Sequence, residues 1–333
     1  MLSKNIVKKY VVRAVAAASL LSVGAALALD KVTIQVSNYN EGMSGGVWAV
    51  ALEKGFLKDQ GLDVEVRSST GGASDIRALI AGDLTYVETG VAATLAAATQ
   101  QNLAIKIVSD NVQTLGSTFW FALSTSSVNS LKDLKGHRLG YSAPKSATQM
   151  VNMMLMKKMG FSKTDVTLVA AGGLAPSLTM LEANALDVVT AGNQFFYAAP
   201  PGKYKLIGKV SKELPPITNV VGVSSDKAIK ERPEIIRKLI AARRKAVEFT
   251  EANPNEAADI MARTAKWDIS VTRKAVADLV GTGFWSPGSF GKEDMQNAVE
   301  SLVVVEALPA TVDWKKYVDE QFLPADLRTL SKK

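Results

Sequence analysis

The chain has 333 residues, a formal net charge of +7, one histidine and no cysteine. Without cysteine it forms no disulfide and no thiolate metal site, carries no cysteine nucleophile and offers no N-terminal cysteine for lipid attachment. Four of the positive charges, Lys4, Lys8, Lys9 and Arg13, fall in the first 28 residues, where there is no acid. The remainder therefore has a charge of +3 and no cluster of Lys and Arg interleaved with aromatics, so nucleic acid is not an expected partner.

Residues 1–28 read as a signal peptide. A basic start leads into an apolar, small-residue run over 14–27, and Ala26-Leu27-Ala28 has the small-x-small pattern of a cleavage site. An uncleaved anchor is the competing reading, but the run is shorter than the roughly 20 residues a spanning helix needs. The expected mature chain begins near Leu29 and resides in the periplasm.

From there the pattern alternates strand and helix. Residues 31–37 (KVTIQVS) alternate apolar and polar as a strand, residues 38–42 form a loop, and residues 44–54 read as a helix closed by Gly55. A strand is expected over 63–67. Thr70, Gly71 and Gly72 break it, and Ile76, Leu79 and Ile80 then mark a helix over 73–81 stopped by Gly82. Further strands are expected over 84–88 and 104–108, with an alanine-rich helix over 91–100 between them. A second α/β unit follows, with strands over 120–124, 138–141, 166–169 and 187–190 and helices over 146–159 and 176–182. Ser146 and Gln149 have the spacing of a capping box. Residues 220–224 read as a returning strand, and from Pro233 onward the pattern is helical, including residues 314–322.

This order predicts an α/β fold of two lobes joined by strands near Ala122 and Val220, with a helical C-terminal part. The expected lobes are residues 29–120 with 220–333, and residues 121–219. Ligands of open parallel sheets sit beyond the carboxyl ends of the strands. Those ends supply Asn38, Tyr39 and Glu41; Thr70, Gly71 and Gly72; Glu88, Thr89 and Gly90; Ser142, Lys145 and Ser146; Gly172 and Gly173; and Asn193 and Gln194. Hydroxyls, amides, glycines and helix starts suit hydrogen-bonded capture of a small polar or anionic molecule. Glu41 and Glu88 read equally as solvated carboxylates or as cleft groups holding a donor such as an amine, and Tyr39 reads equally as core. Lys145 reads as exposed or as a ligand contact. Phe195, Phe196 and Tyr197 read as core or as an apolar wall for an aromatic ligand.

An enzyme is the weaker reading. His137 lies in a lysine-rich turn, and there is no G-x-S-x-G, phosphate-loop lysine, dinucleotide fingerprint or metal-spaced cluster, so no cofactor or metal is expected. Met150, Met153, Met154, Met156 and Met159 spread around one helix as packing material.

The runs TGGASDIRALIAGDLTYVETG, ALEKGFLKDQGLDVEV, SLKDLKGHRLGYS and LEANALDVVTAG resemble solute-binding proteins of the nitrate/sulfonate/taurine class of ABC importers, a family that also includes binders of thiamine-pyrimidine precursors. The resemblance implies a type II periplasmic fold, a small-molecule ligand between the lobes, a monomer, and a permease and ATPase as partners, and it places the loop from Asn38 to Glu41, the turn from Thr70 to Gly72, Glu88 to Gly90, Ser142 to Ala147, and Asn193 and Gln194 along the cleft. An exported enzyme or a pyrimidine-precursor binder on the same fold is the alternative it leaves. Asn193-Gln194-Phe195-Phe196 stands where family members often carry a tryptophan and an acid, which sets this chain apart from a taurine or alkanesulfonate site.

Overall fold

The structure, a computed structural model, describes residues 29–330 apart from Asn38, Thr70, Gly71, Lys145 and Thr311. The expected signal peptide lies outside the described residues. Four strands open the chain: β1 (Asp30–Ser37), β2 (Leu62–Ser69), β3 (Tyr86–Gly90) and β4 (Ile105–Val112). Five follow in a separate sheet, β5 (Thr118–Leu123), β6 (Arg138–Tyr141), β7 (Thr167–Ala170), β8 (Val188–Gly192) and β9 (Tyr204–Lys209). The last two, β10 (Val220–Ser225) and β11 (Trp285–Gly288), return to the first sheet.

The sheets repeat one design. The first has the order β11-β4-β10-β3-β1-β2 and the second β7-β6-β8-β5-β9. In each, the strand that has just arrived from the other sheet inserts antiparallel, β10 between β3 and β4, and β5 between β8 and β9. The strands β1, β2 and β3 run parallel, as do β6, β7 and β8, so their carboxyl ends share one edge of each sheet. The chain passes between the sheets twice, over residues 113–117 and 210–219. These connectors pair with each other, Ile217 N–H donating to Gln113 O at 2.9 Å and Asn219 N–H to Val112 O at 2.8 Å.

Local sequence explains the elements that border the shared edges. Val32, Ile34 and Val36 of β1 are buried on one period-two face. The helix Ala73–Ala81 starts and stops at glycines in positive φ, Gly72 at 69° and Gly82 at 94°, conformations an L side chain resists. Ser146 caps the helix Ala147–Met159 by accepting from Gln149 N–H at 3.3 Å. The full reciprocal capping box, however, belongs to Ser130 and Asp133 at the short turn Leu131–Leu134.

Elsewhere long-range packing changes the expected boundaries. β4 runs on through Ser109, Asp110 and Asn111, which the sequence reads as past the strand end, because each is buried among polar partners. β9 and β11 have no counterpart in the sequence pattern, and residues 314–322 form two short 3-10 turns, Trp314–Tyr317 and Glu320–Phe322, in place of a helix. The long helix Pro233–Ala252 packs Ile236, Leu239 and Ile240 into the first lobe beside the helix Gly46–Glu53 and β11. Among the described residues no helix is long and apolar enough to cross a membrane.

Candidate functional site

The carboxyl-end edges of the two sheets meet through the residues after β8. Gln194 Nε2 donates to Glu41 O, in the loop after β1, at 3.4 Å. Beside it, Asn193 Nδ2 donates to Ala275 O at 3.0 Å, in the helix Ile269–Ala277, and Asn193 N–H to Ser117 O at 2.7 Å. A carbonyl oxygen only accepts, so both amides are oriented with their NH2 groups on the backbone and their oxygens turned elsewhere. Asn193 Oδ1 and Gln194 Oε1 are buried and have no partner among the described residues. Gly192 makes room for this arrangement, since a Cβ there would lie 2.3 Å from Gln194 Oε1.

On the first lobe the site residues form a knot of short polar contacts. Asp75, fully buried in the first turn of its helix, accepts from Ser37 Oγ at 2.5 Å and Gln35 Nε2 at 2.6 Å. Thr89 Oγ1 lies 3.2 Å from Ser37 Oγ and accepts from Gly72 N–H at 3.1 Å. The Gly72 N–H is therefore spent within the protein, and the helix start offers only the donors that follow it. On the second lobe Ser142, Ser146 and Thr148 form a hydroxyl group of their own: Thr148 Oγ1 lies 2.8 Å from Ser142 Oγ and 3.0 Å from Ser146 Oγ and accepts from Ser142 N–H at 2.9 Å. Ala147 is exposed at the start of that helix, and Gly90 is half-buried at the end of β3. Asn38, Thr70, Gly71 and Lys145 lie outside the described residues.

The two glutamates differ. Glu41 is exposed. Glu88 is fully buried and is not a solvated carboxylate: its Oε2 accepts from Asn111 Nδ2 at 2.6 Å, Trp48 Nε1 at 2.8 Å and Arg243 Nε at 3.1 Å. Arg243 Nη1 donates to Ser286 O at 2.6 Å and Nη2 to Asn111 O at 2.8 Å. This ion pair, with Tyr86 hydrogen-bonded to Asn111 at 2.7 Å, lies inside the first lobe beneath the edge. Burial, and then the Glu88 charge, push the Tyr86 phenol up to about 12. Tyr39 is half-buried against the core, and burial raises it to about 12 as well.

The aromatic residues after Gln194 belong to packing. Phe196 and Tyr197 lie edge-on to Phe119, with ring centroids 6.0 and 6.1 Å away, and Phe195 packs on the same cluster, so the apolar wall read from the sequence is part of the second lobe's core. Tyr197 OH donates to Asp278, which also receives Lys209 Nζ at 2.7 Å. His137 stands at the amino end of β6, the edge away from Ser142 and Gly192, with Nδ1 3.5 Å from Asp187. Arg138, hydrogen-bonded to the same carboxylate, holds Asp187 down at about 2.

Sequence reasoning missed Arg243, Asp110, Asn111, Thr148 and Thr218. Only Arg243 leaves a signal, as a charge on the apolar stripe of its helix among Ile236, Leu239, Ile240 and Val247.

Two α/β sheets of matching design, joined by two connectors and meeting at their carboxyl-end edges, define the periplasmic-binding-protein fold expected from the sequence. The chain belongs to the NMT1/THI5-like family, whose model matches residues 46–257. It is 25% identical over 257 residues to a protein of Brucella abortus (strain 2308) named as a binding protein, covering 72% of this chain and 73% of that one. Its fold is similar to that of the periplasmic aliphatic sulphonate binding protein SsuA from Escherichia coli, with a TM-score of 0.73 at 14% identity over 87% of this chain and 92% of that one. The desulfurization enzyme DSZB shares the fold at a TM-score of 0.64 and 13% identity, over 88% of this chain and 97% of that one.

Proposed function

We propose that this protein is the periplasmic solute-binding subunit of an ABC importer. It captures a small polar or anionic organic solute between its lobes and, as a monomer, delivers it to an inner-membrane permease and ATPase. The observation that carries this reading is the pair of amides at the end of β8. Asn193 and Gln194 spend their N–H groups on backbone carbonyls packed with the first lobe and leave two buried oxygens without a protein partner. A buried acceptor left unpaired costs about 1–3 kcal/mol. A solute that supplies the missing donors at the lobe boundary stabilises the joined arrangement. The helix starts after Gly72 and Ser146 are the places where its anionic group would sit.

The class is supported by the family and by the binding proteins this chain resembles. Among the solutes to try first, taurine-like ones carry both an ammonium donor for the amide oxygens and an anion for the helix starts, whereas sulfonates, nitrate and aromatic carboxylates bring the anion alone. The alternative, an enzyme or a pyrimidine-precursor binder, draws on the desulfurization enzyme of the same fold. Against an enzyme stands the position of His137 at the far edge of the second sheet.

A ligand that binds only the folded state stabilises it by mass action, by about 2.7 kcal/mol at a hundredfold excess over its dissociation constant, and so raises the unfolding temperature. A thermal-shift screen of alkanesulfonates, taurine, nitrate, aromatic carboxylates and aminopyrimidines is expected to give a saturable hit that is recovered unchanged. Turnover of the hit would establish the enzyme instead. For an anionic hit, Ser146→Asp tests the helix start directly, because it keeps a capping oxygen while adding a negative charge. The expected result is a folded protein with affinity lowered more than tenfold, about 1.4 kcal/mol. Retained affinity would move the anion away from this helix.

A further inference from the structure

An ion pair joins the two lobes beside the hinge. Asp278, in the first lobe, is the C-cap of the helix Ile269–Ala277. Both of its carboxylate oxygens are occupied by donors from the second lobe: Oδ1 accepts from Lys209 Nζ at 2.7 Å and Oδ2 from Tyr197 OH. Lys209 is the last residue of β9, immediately before the second connector, and its ammonium lies 4.9 Å from the centroid of the Phe119 ring. Tyr197 follows Asn193 and Gln194 by about one turn in the short helix Asn193–Ala198, and its ring stands edge-on to the same Phe119. Leu279, next to Asp278 in the chain, lies against the first connector, where a Cβ on Gly116 would meet its Cδ2 at 3.6 Å.

We propose that Asp278 is an anchor between the lobes: through Lys209 and Tyr197 it keeps them in the joined arrangement observed before any solute arrives, and so holds the Asn193 and Gln194 amides against the first lobe.

The place of the acid supports this. The C-terminal end of a helix carries the negative end of its dipole, which attracts Lys or Arg and repels a carboxylate. Asp278 therefore works against its own helix, and the partners that offset this repulsion come from the other lobe. The remaining polar contacts beside it, Asn193 Nδ2 on Ala275 O at 3.0 Å and Gln194 Nε2 on Glu41 O at 3.4 Å, join neutral groups. Hydrogen bonds to an ionised group are roughly twice as strong as neutral ones, so Asp278 dominates the set. The side chains of Asp278 and Lys209 keep 20% and 31% of their surface exposed, which screens the pair in part. When the lobes part, both groups gain water. The anchor thus biases an equilibrium between joined and parted lobes without locking it. A solute that needs the joined form binds with an apparent affinity reduced by the fraction joined, so Asp278 acts on affinity as a positioning residue.

The chain has no cysteine, so two introduced thiols are unique labelling sites. Lys58→Cys, on the short helix Phe56–Asp59, and Lys163→Cys, before β7, place one probe on each lobe at exposed positions. Without ligand, paired spin labels in the otherwise unaltered parent are expected to show one principal distance. Asp278→Ala is expected to add a second distance and to raise its ratio to the first by more than about tenfold. Lys209→Met is expected to raise that ratio by about threefold or more in the parent and by less than about twofold in the Asp278→Ala background, because the partner has already gone. A lysine that served only to cover Phe119 would act equally in both. A distribution unchanged by Asp278→Ala overturns the proposal, as does a parent in which the second distance already predominates. Equal effects of Lys209→Met in the two backgrounds overturn it too. Should Asp278→Ala not fold, the Tyr197→Phe and Lys209→Met double variant decides: it removes both donors and must raise the ratio, and an unmoved ratio overturns the anchor. No solute enters this measurement, so its failure leaves the proposed function standing, and a failed ligand screen leaves the anchor standing.

Discussion

Arg243→Ala is expected to destabilise the protein by about 3–5 kcal/mol, read as a lowered urea midpoint with an unchanged slope. The arginine is 2% exposed and the glutamate it faces is fully buried, so truncation leaves a charge with no countercharge in a medium that hydrates it poorly. It also strips donors from Ser286 O and Asn111 O, both inside the first lobe. Asn111 is the extra residue of a β-bulge, because Val112 pairs with Val220 and Asp110 with Val221, leaving Asn111 without an opposite number on β10. Arg243 therefore supports a place where the ladder is already interrupted. Glu88→Gln alone is expected to be destabilising too, since it strands the guanidinium. In the Arg243→Ala background it is expected to restore part of the loss, because it removes the stranded charge. Additive effects of the two changes would mean that the pair does not act as a unit.

How far the sequence carries the structure depends on whether a signal is local. The turn from Gly72 to Gly82 is readable because both glycines sit in positive φ and the helix between them is bounded by its own neighbours. The Ser146 cap is readable for the same reason. Ser109-Asp110-Asn111 is misread because three polar residues in a row resemble a strand end. What makes them strand is supplied from far along the chain, by Thr218 on Asp110, Tyr86 beside Ser109, and Glu88 and Tyr86 on Asn111. β11 is only the four residues WSPG, too short for any period and containing a proline, yet it pairs with β4 at the edge of the sheet, where a missing N–H is tolerated. The link from Gln194 to Glu41 spans 153 positions and leaves no local trace. Phe195, Phe196 and Tyr197 show the reverse difficulty. Composition marks them as apolar and aromatic, but only the position of Phe119 on β5 decides that they fill a core.

Gly222→Ala is expected to cost about 3 kcal/mol or more, although nothing in its backbone conformation asks for glycine. Gly222 lies on β10, paired with Glu88 on one side and Ser109 on the other. A Cβ built there would lie 2.1 Å from the Tyr86 hydroxyl and 2.3 Å from Ser109 Oγ, closer than real carbon atoms approach. Tyr86 and Ser109 are both buried and 3.2 Å apart, and Asn111 Nδ2 donates to the same phenol at 2.7 Å. Neither hydroxyl can turn to water. The methyl group thus adds an overpacking cost of about 1–3 kcal/mol to the loss of a buried hydrogen bond worth about the same. The clash is with two hydroxyls and with Tyr86 Cζ at 2.5 Å, so part of its cost should depend on the hydroxyls. In a Tyr86→Phe background the Gly222→Ala change is expected to cost less than in the parent, since the nearest atom is gone and Asn111 keeps Glu88 as an acceptor. Chemical denaturation of the four proteins of this cycle measures the coupling. If Gly222→Ala costs less than about 1 kcal/mol in the parent, or as much in the Tyr86→Phe background as without it, the hydroxyl pair is not what keeps a glycine at this position.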